Sequence, residues 1–176
     1  AFVDLYFKEL FVFRQMQTDP HFGNYRVRLH QDGKAPQFVL FDFGAVRKFP
    51  MSFLDNYRVM VRGAAIRNRE LLDQSALALG FIEETDPEEL KAAFAELCFL
   101  IGEPFGDEIY DWGASDLPKR VIAAGKHMAL DFKFKLRMPP REIIFLDRKM
   151  SGVFVFLNRL KVKMKARDLL LSYLSE

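Results

Sequence analysis

Apolar residues recur at helical spacing from residue 1 to about 14, with Phe2, Leu5, Tyr6, Leu10 and Phe13 on one side, until Pro20 and Gly23 break the pattern. That spacing predicts a helix followed by a loop. Residues 25–30 alternate Tyr, Val and Leu with two arginines, residues 37–41 form an apolar run, and Gln31-Asp32-Gly33-Lys34-Ala35-Pro36 separates them. The alternation predicts a short β-hairpin with a somewhat long turn. Beyond Asp42-Phe43-Gly44 the period becomes helical near Pro50, where Phe53, Tyr57, Met60, Val61, Ala64 and Ala65 mark one face. Further helices are predicted at 69–79, closed by Gly80, and at 87–101, between Asp86-Pro87 and Gly102. Three more follow at about 118–130, 139–160 and 166–175, and residues 103–116 are the longest irregular stretch. There is no internal repeat and no low-complexity tract.

The 176 residues fit one domain, and 50% hydrophobic with 28% charged residues is the balance of an ordered globular chain. A net charge of +2 is too small to indicate a nucleic-acid partner, and none is expected. The single cysteine, Cys98, excludes an internal disulfide and a cysteine-rich metal site, and its apolar helical setting predicts a core thiol. No apolar run approaches the roughly 20 residues that span a bilayer, so no transmembrane helix is expected. The helical pattern is already running at Ala1 without a start methionine or cap, which leads us to expect a chain that begins inside a fold.

Chemistry concentrates in Met16-Gln17-Thr18-Asp19-Pro20-His21-Phe22-Gly23-Asn24 and, across the hairpin, Phe41-Asp42-Phe43-Gly44. Phosphoryl transfer asks a protein mainly to hold magnesium, align the transferred group and position the acceptor. A loop Asp, an Asn five residues later and the Asp of a DFG element supply those oxygens in kinase-like folds, and Asp19, Asn24 and Asp42 have that spacing and order. The hard oxygens of Asn24 and Asp42 suit magnesium, while Asp19 would orient or deprotonate the nucleophile. The competing reading makes Asp19-Pro20 a turn, Asn24 a loop cap and Asp42-Phe43-Gly44 the end of a strand. Both elements in the right order around a hairpin favour the site.

These two segments, with Leu40 to Ala45 and the later Leu146-Asp147-Arg148-Lys149-Met150-Ser151-Gly152, resemble the UbiB family of atypical kinases, also called the aarF-domain family, over essentially the whole chain. The Gln17-Thr18-Asp19-Pro20 form and Gly102-Glu103-Pro104-Phe105 are similar to its coenzyme Q biosynthesis branch. The resemblance implies a mainly α fold with a small β-hairpin, a protein-kinase-like C-lobe filling residues 1–176 as a single domain. It implies Asp19 as the catalytic-loop Asp, Asn24 and Asp42 as metal ligands, and ATP and Mg2+ as cofactors. The implied function is a magnesium-dependent ATPase or small-molecule kinase supporting ubiquinone biosynthesis; the alternative is a pseudokinase-like nucleotide-binding scaffold for other coenzyme Q biosynthesis proteins. The N-lobe elements of the family, its ATP-binding Lys, KxGQ element and alanine-rich loop, are not in this chain. A single lobe is therefore expected to bind nucleotide weakly and to be inactive alone.

Departures from ordinary protein kinases narrow the reading. Gln17 stands where the catalytic loop has histidine, and His21 where a lysine contacts the γ-phosphate. His21 is a candidate phosphate or substrate contact, against a loop histidine packed on its neighbours. Only Ala45-Val46-Arg47-Lys48-Phe49 separates Gly44 from the next helix, with no Ala-Pro-Glu and no phosphorylatable residue, so a peptide substrate has no platform. Arg47 and Lys48 read either as phosphate contacts or as a solvated loop. Arg148 is read as the structural partner of a buried or loop carboxylate. Trp112 and the 105–110 loop read as core packing, with the cap of a lipid or quinone pocket as the alternative.

The run Arg159-Leu160-Lys161-Val162-Lys163-Met164-Lys165-Ala166-Arg167 reads as a solvated helix end, or as a contact with anionic membrane lipids. Given membrane-embedded quinone precursors as the family's targets, the resemblance implies a location peripheral to a membrane, on the bacterial cytoplasmic or mitochondrial matrix side.

Overall fold

A computed structural model describes residues 1–30, 34–132 and 137–174. Helix α1 (Phe2–Phe7) continues through a π-helical turn, Lys8–Val12, and the two together bury Tyr6, Phe7, Glu9, Leu10 and Phe11. Arg14 then takes a left-handed φ of 56°, which ends the helix and turns the chain into a strand. That strand, β1 (Gln15–Gln17), pairs antiparallel with β4 (Val46–Lys48), Met16 opposite Arg47. The expected hairpin forms from β2 (Tyr25–Arg28) and β3 (Gln37–Leu40), with Tyr25 opposite Leu40.

The remainder is helical, in nearly the expected segments. Helix α2 (Met51–Ala65) follows Pro50, and α3 (Arg69–Ala78) starts at Asn68, whose side chain accepts the Leu71 N–H at 3.0 Å. A Cβ on Gly63 would come within 2.9 Å of the Leu72 nitrogen, so glycine is what lets α2 and α3 touch along their backbones. Then come α4 (Glu88–Ile101), a 3-10 turn (Glu103–Phe105), β5 (Tyr110–Asp111), α5 (Leu117–Asp131), α6 (Arg141–Arg159), β6 (Lys163–Met164) and α7 (Arg167–Leu174).

Two apolar clusters carry the packing. The larger joins α1, α6 and α7 with Met16, Phe49, Phe53, Leu54, Phe105 and Trp112; the smaller joins Met60 of α2 to α3 and α4. Trp112 is buried in the first cluster, as core packing requires.

The differences from expectation are local. The hairpin is one of three two-stranded antiparallel sheets among the described residues. The basic run is not a helix end throughout: α6 stops at Arg159, Lys161 takes a φ of 49°, and Lys163 enters β6. There it pairs with Asp111 at 2.8 Å, while Arg167 in α7 donates to the Ala65 carbonyl at 3.0 Å and meets Asp107 at 3.1 Å. The turn residues 31–33 and the predicted end of the last helix at 175 lie outside the described residues. No described helix is long and apolar enough to cross a membrane.

Candidate functional site

The loop that follows β1 is tied to the segment after β3. Thr18 donates both its backbone N–H and its hydroxyl to the Ala45 carbonyl, at 2.9 and 2.8 Å. At the other end of the loop, the Phe41 N–H donates to the Asn24 carbonyl at 2.9 Å and extends the β2–β3 ladder by one rung. Asp42 is the next residue. The hairpin thus returns the DFG turn to the residue where the Asp19 loop ends.

Within the loop, Asn24 Nδ2 donates to the Asp19 carbonyl at 3.1 Å and to Asp19 Oδ2 at 3.3 Å. Spending the amide nitrogen this way leaves Asn24 Oδ1, the atom able to meet a cation, for a ligand outside the loop. His21 Nδ1 accepts the Gly23 N–H at 3.0 Å and caps the 3-10 turn Phe22–Asn24. An accepting Nδ1 places the proton of a neutral imidazole on Nε2. Asp42 Oδ1 accepts the Gly44 N–H at 2.7 Å, so the DFG turn is closed by its own carboxylate. Asp42, Phe43 and Gly44 are all exposed.

Helix α6 holds this loop along one stripe. Arg148 Nη2 donates to Asp19 Oδ1 at 3.0 Å, which identifies the loop carboxylate it partners. A Cβ on Gly152 would collide with the ring of Pro20, so α6 approaches the loop only because residue 152 is glycine. Phe156 stacks on Phe22 with centroids 3.8 Å apart, and the Arg159 guanidinium lies 4.9 Å from the same ring. Positions 148, 152, 156 and 159 recur every three or four residues, the period of one helix face. The motif from Leu146 to Gly152 is therefore the cradle of the loop from Gln17 to Asn24.

Lys149, next to Arg148, was not singled out by sequence reasoning. It is 1% exposed, pairs with Glu9 Oε2 at 3.1 Å, and donates to Gln17 Oε1 at 3.3 Å and to the Tyr25 hydroxyl at 3.2 Å. Gln17, also buried, passes the connection on: its Nε2 donates to the Asp19 carbonyl at 2.7 Å, and its backbone N–H to Glu9 Oε1 at 3.2 Å. Burial holds the Lys149 ammonium below the usual lysine range, and the Glu9 carboxylate opposes that shift. Burial, then the charges of Glu9 and Asp19, pushes the Tyr25 hydroxyl up to about 12. Gln17, at the position of a kinase histidine, is thus an anchor between a buried ion pair and the loop backbone.

The remaining candidates fall elsewhere. Arg47 lies in β4 with its guanidinium 4.7 Å from the Phe145 ring of α6. Glu103 is clamped by Arg120 through two bonds of 2.7 and 2.6 Å, and those bonds hold its carboxyl below the usual range, although burial alone would raise it. Pro104 and Phe105 are buried beside it, which gives the Gly102-Glu103-Pro104-Phe105 segment a structural part. Among the described residues no three His, Cys, Asp or Glu side chains cluster as a metal site. Magnesium asks for fewer, one or two protein oxygens with phosphate and water completing its shell. Asn24 and Asp42 fit that donor set.

A helix, a loop uniting an Asp with an Asn, a hairpin ending in DFG and a helical remainder together define a kinase-like protein. The profile of the ABC1 atypical kinase-like domain matches residues 1–76. The chain is 34% identical over 163 residues to "Atypical kinase COQ8B, mitochondrial" of Rattus norvegicus, covering 92% of this chain and 30% of that protein. It is 30% identical over 170 residues to the Danio rerio protein of the same name, covering 96% of this chain and 26% of the relative. With "Atypical kinase COQ8, mitochondrial" of Saccharomyces cerevisiae it shares 29% over 156 residues, 87% of this chain and 30% of the relative. The chain belongs to the ABC1, or UbiB, family of atypical kinases. It spans less than a third of the length of these relatives.

Proposed function

We propose that residues 1–176 form the C-lobe half of a magnesium-dependent ATP site, in an atypical kinase or ATPase that supports coenzyme Q biosynthesis in mitochondria. The observation that supports the reading is the pair of Asn24–Asp19 bonds, with Asp42 following directly on the Asn24–Phe41 rung. The coenzyme Q role and the mitochondrial location rest on the relatives' names.

Bound magnesium would neutralise phosphate charge as the terminal group leaves. Asn24 Oδ1 and the Asp42 carboxylate would hold that ion. Asp19, fixed by Arg148 and Asn24, would accept a hydrogen bond from the attacking hydroxyl or water and set its direction. His21, with Nδ1 occupied, would present its Nε2–H to a phosphate oxygen. The short link between Gly44 and α2 gives no bed for a peptide, which favours water or a small molecule as acceptor.

One observation favours a second reading, a nucleotide-binding scaffold with little turnover. Both carboxylate oxygens of Asp19 already hold a donor, Oδ1 the Arg148 guanidinium and Oδ2 the Asn24 amide, which leaves less room for the proton of a nucleophile. Single-turnover ATP hydrolysis by the complete protein separates the two. An active site predicts measurable turnover that falls roughly 100-fold or more in Asp19→Asn while magnesium-ATP affinity stays near wild type. Parallel loss of binding and turnover would reject Asp19's assignment to the nucleophile, and no turnover in wild type would leave the scaffold.

A further inference from the structure

A cavity of about 200 Å³ lies between α1, α2, α4 and α6, and it includes none of Asp19, His21, Asn24 or Asp42. Its walls are almost wholly apolar, with Phe7, Phe11, Met60, Phe94 and Leu170 among them. Oxygen-bearing side chains interrupt them at Tyr6, Tyr57 and Asp147, and Cys98 adds a thiol.

Tyr6 and Asp147 are poorly satisfied by the protein itself. Tyr6 is 2% exposed, and its hydroxyl has no well-formed hydrogen bond, meeting only the Tyr57 hydroxyl beside it among the described residues. A buried polar group left so is costly and marks a place where a ligand atom belongs. Asp147 reaches solvent at the rim, yet no salt bridge or hydrogen bond among the described residues engages it. Its neighbours on α6 point elsewhere, Arg148 to Asp19 and Lys149 to Glu9. Desolvation raises the Asp147 carboxyl, and its charge in turn adds to the burial that lifts Tyr6 and Tyr57 above the usual tyrosine range. All three side chains line the same cavity.

We propose that this cavity is a binding site for a small apolar primary amine. An ammonium carries three donors and no acceptor, which matches a carboxylate and two phenol oxygens that can all accept. Its charge supplies the cation Asp147 lacks, and the surrounding aromatic rings favour a cation further. The volume exceeds the roughly 150 Å³ that accommodates benzene, so a single ring with a two-carbon amine arm is the scale of ligand that fits. The hydrocarbon part lies among Phe7, Phe11, Phe94 and Leu170, and the head meets Tyr6, Tyr57 and Asp147.

Calorimetry with 2-phenylethylamine and its neutral counterpart 2-phenylethanol, at neutral pH on the wild-type protein, isolates the charge. The amine should bind about tenfold more tightly than the alcohol. Asp147→Asn changes a rim residue, should fold normally, and should bring the amine down to the affinity of the alcohol, while Tyr6→Phe should weaken the amine to a smaller extent. Equal binding of the two compounds by wild type, tighter binding of the alcohol, no binding of either, or a preference that survives in Asp147→Asn would each overturn the proposal. None of these outcomes bears on magnesium-ATP, so failure here is distinct from failure of the nucleotide reading.

Discussion

Lys149 is the side chain on which the geometry behind the site turns. It is buried against Glu9 and touches both Gln17 and Tyr25, so removing either ion leaves the other buried without its partner. Such a loss costs about 3–5 kcal/mol, whereas replacing both ions by apolar groups of similar volume is often neutral. Lys149→Met and Glu9→Leu should therefore each lower the unfolding free energy by that amount in urea denaturation, and the double variant should regain most of it. Additive losses in the double variant would show that the two do not act as a pair. The sequence contained a sign of this residue: Leu146, Lys149, Val153 and Phe156 recur at the period of the buried face of α6. A lysine on an apolar helix face is a request for a buried acid, and that acid lay 140 positions earlier, on a helix with no fixed place relative to α6 until the chain folds.

At the level of elements, the close contact of α6 with the loop rests on Gly152 and Pro20. Gly152→Ala adds a Cβ where the Pro20 ring sits, and overpacking of this kind costs roughly 1–3 kcal/mol. Thermal unfolding should show Gly152→Ala less stable than wild type in spite of alanine's better helix propensity, and Pro20→Gly in the same chain should restore part of the loss. A Gly152→Ala protein as stable as wild type would mean that the loop is not held by this contact. The long helices and the hairpin were legible because each repeats its period several times. By contrast β1, β4, β5 and β6 are two or three residues long, too short for any alternation to register, and each depends on a partner distant in sequence. The basic run from 159 to 167 misled for the same reason: nothing local shows that Asp111 waits for Lys163. The Asp19, Asn24 and Asp42 pattern was legible because its spacing is local, whereas its cradle on α6 could be located only through folding.

On the scale of the whole molecule, α2 joins two apolar clusters, and the candidate site occupies an edge where the hairpin and the DFG turn face outward. Phe41 and Phe43 are 65% and 62% exposed there, an apolar rim that suits the second lobe of the proposed cleft. In the proposed function this edge binds nucleotide through a cation held by Asn24 and Asp42. Calorimetry of ATP with the complete protein, with and without magnesium, in wild type and Asp42→Ala, tests it most directly. Asp42 is exposed and, among the described residues, bonded only to its own turn, so the variant should keep the wild-type circular dichroism and unfolding midpoint. Magnesium should strengthen ATP binding in wild type, and this gain should disappear in Asp42→Ala; an unchanged magnesium-dependent affinity in the folded variant would remove Asp42 from the site.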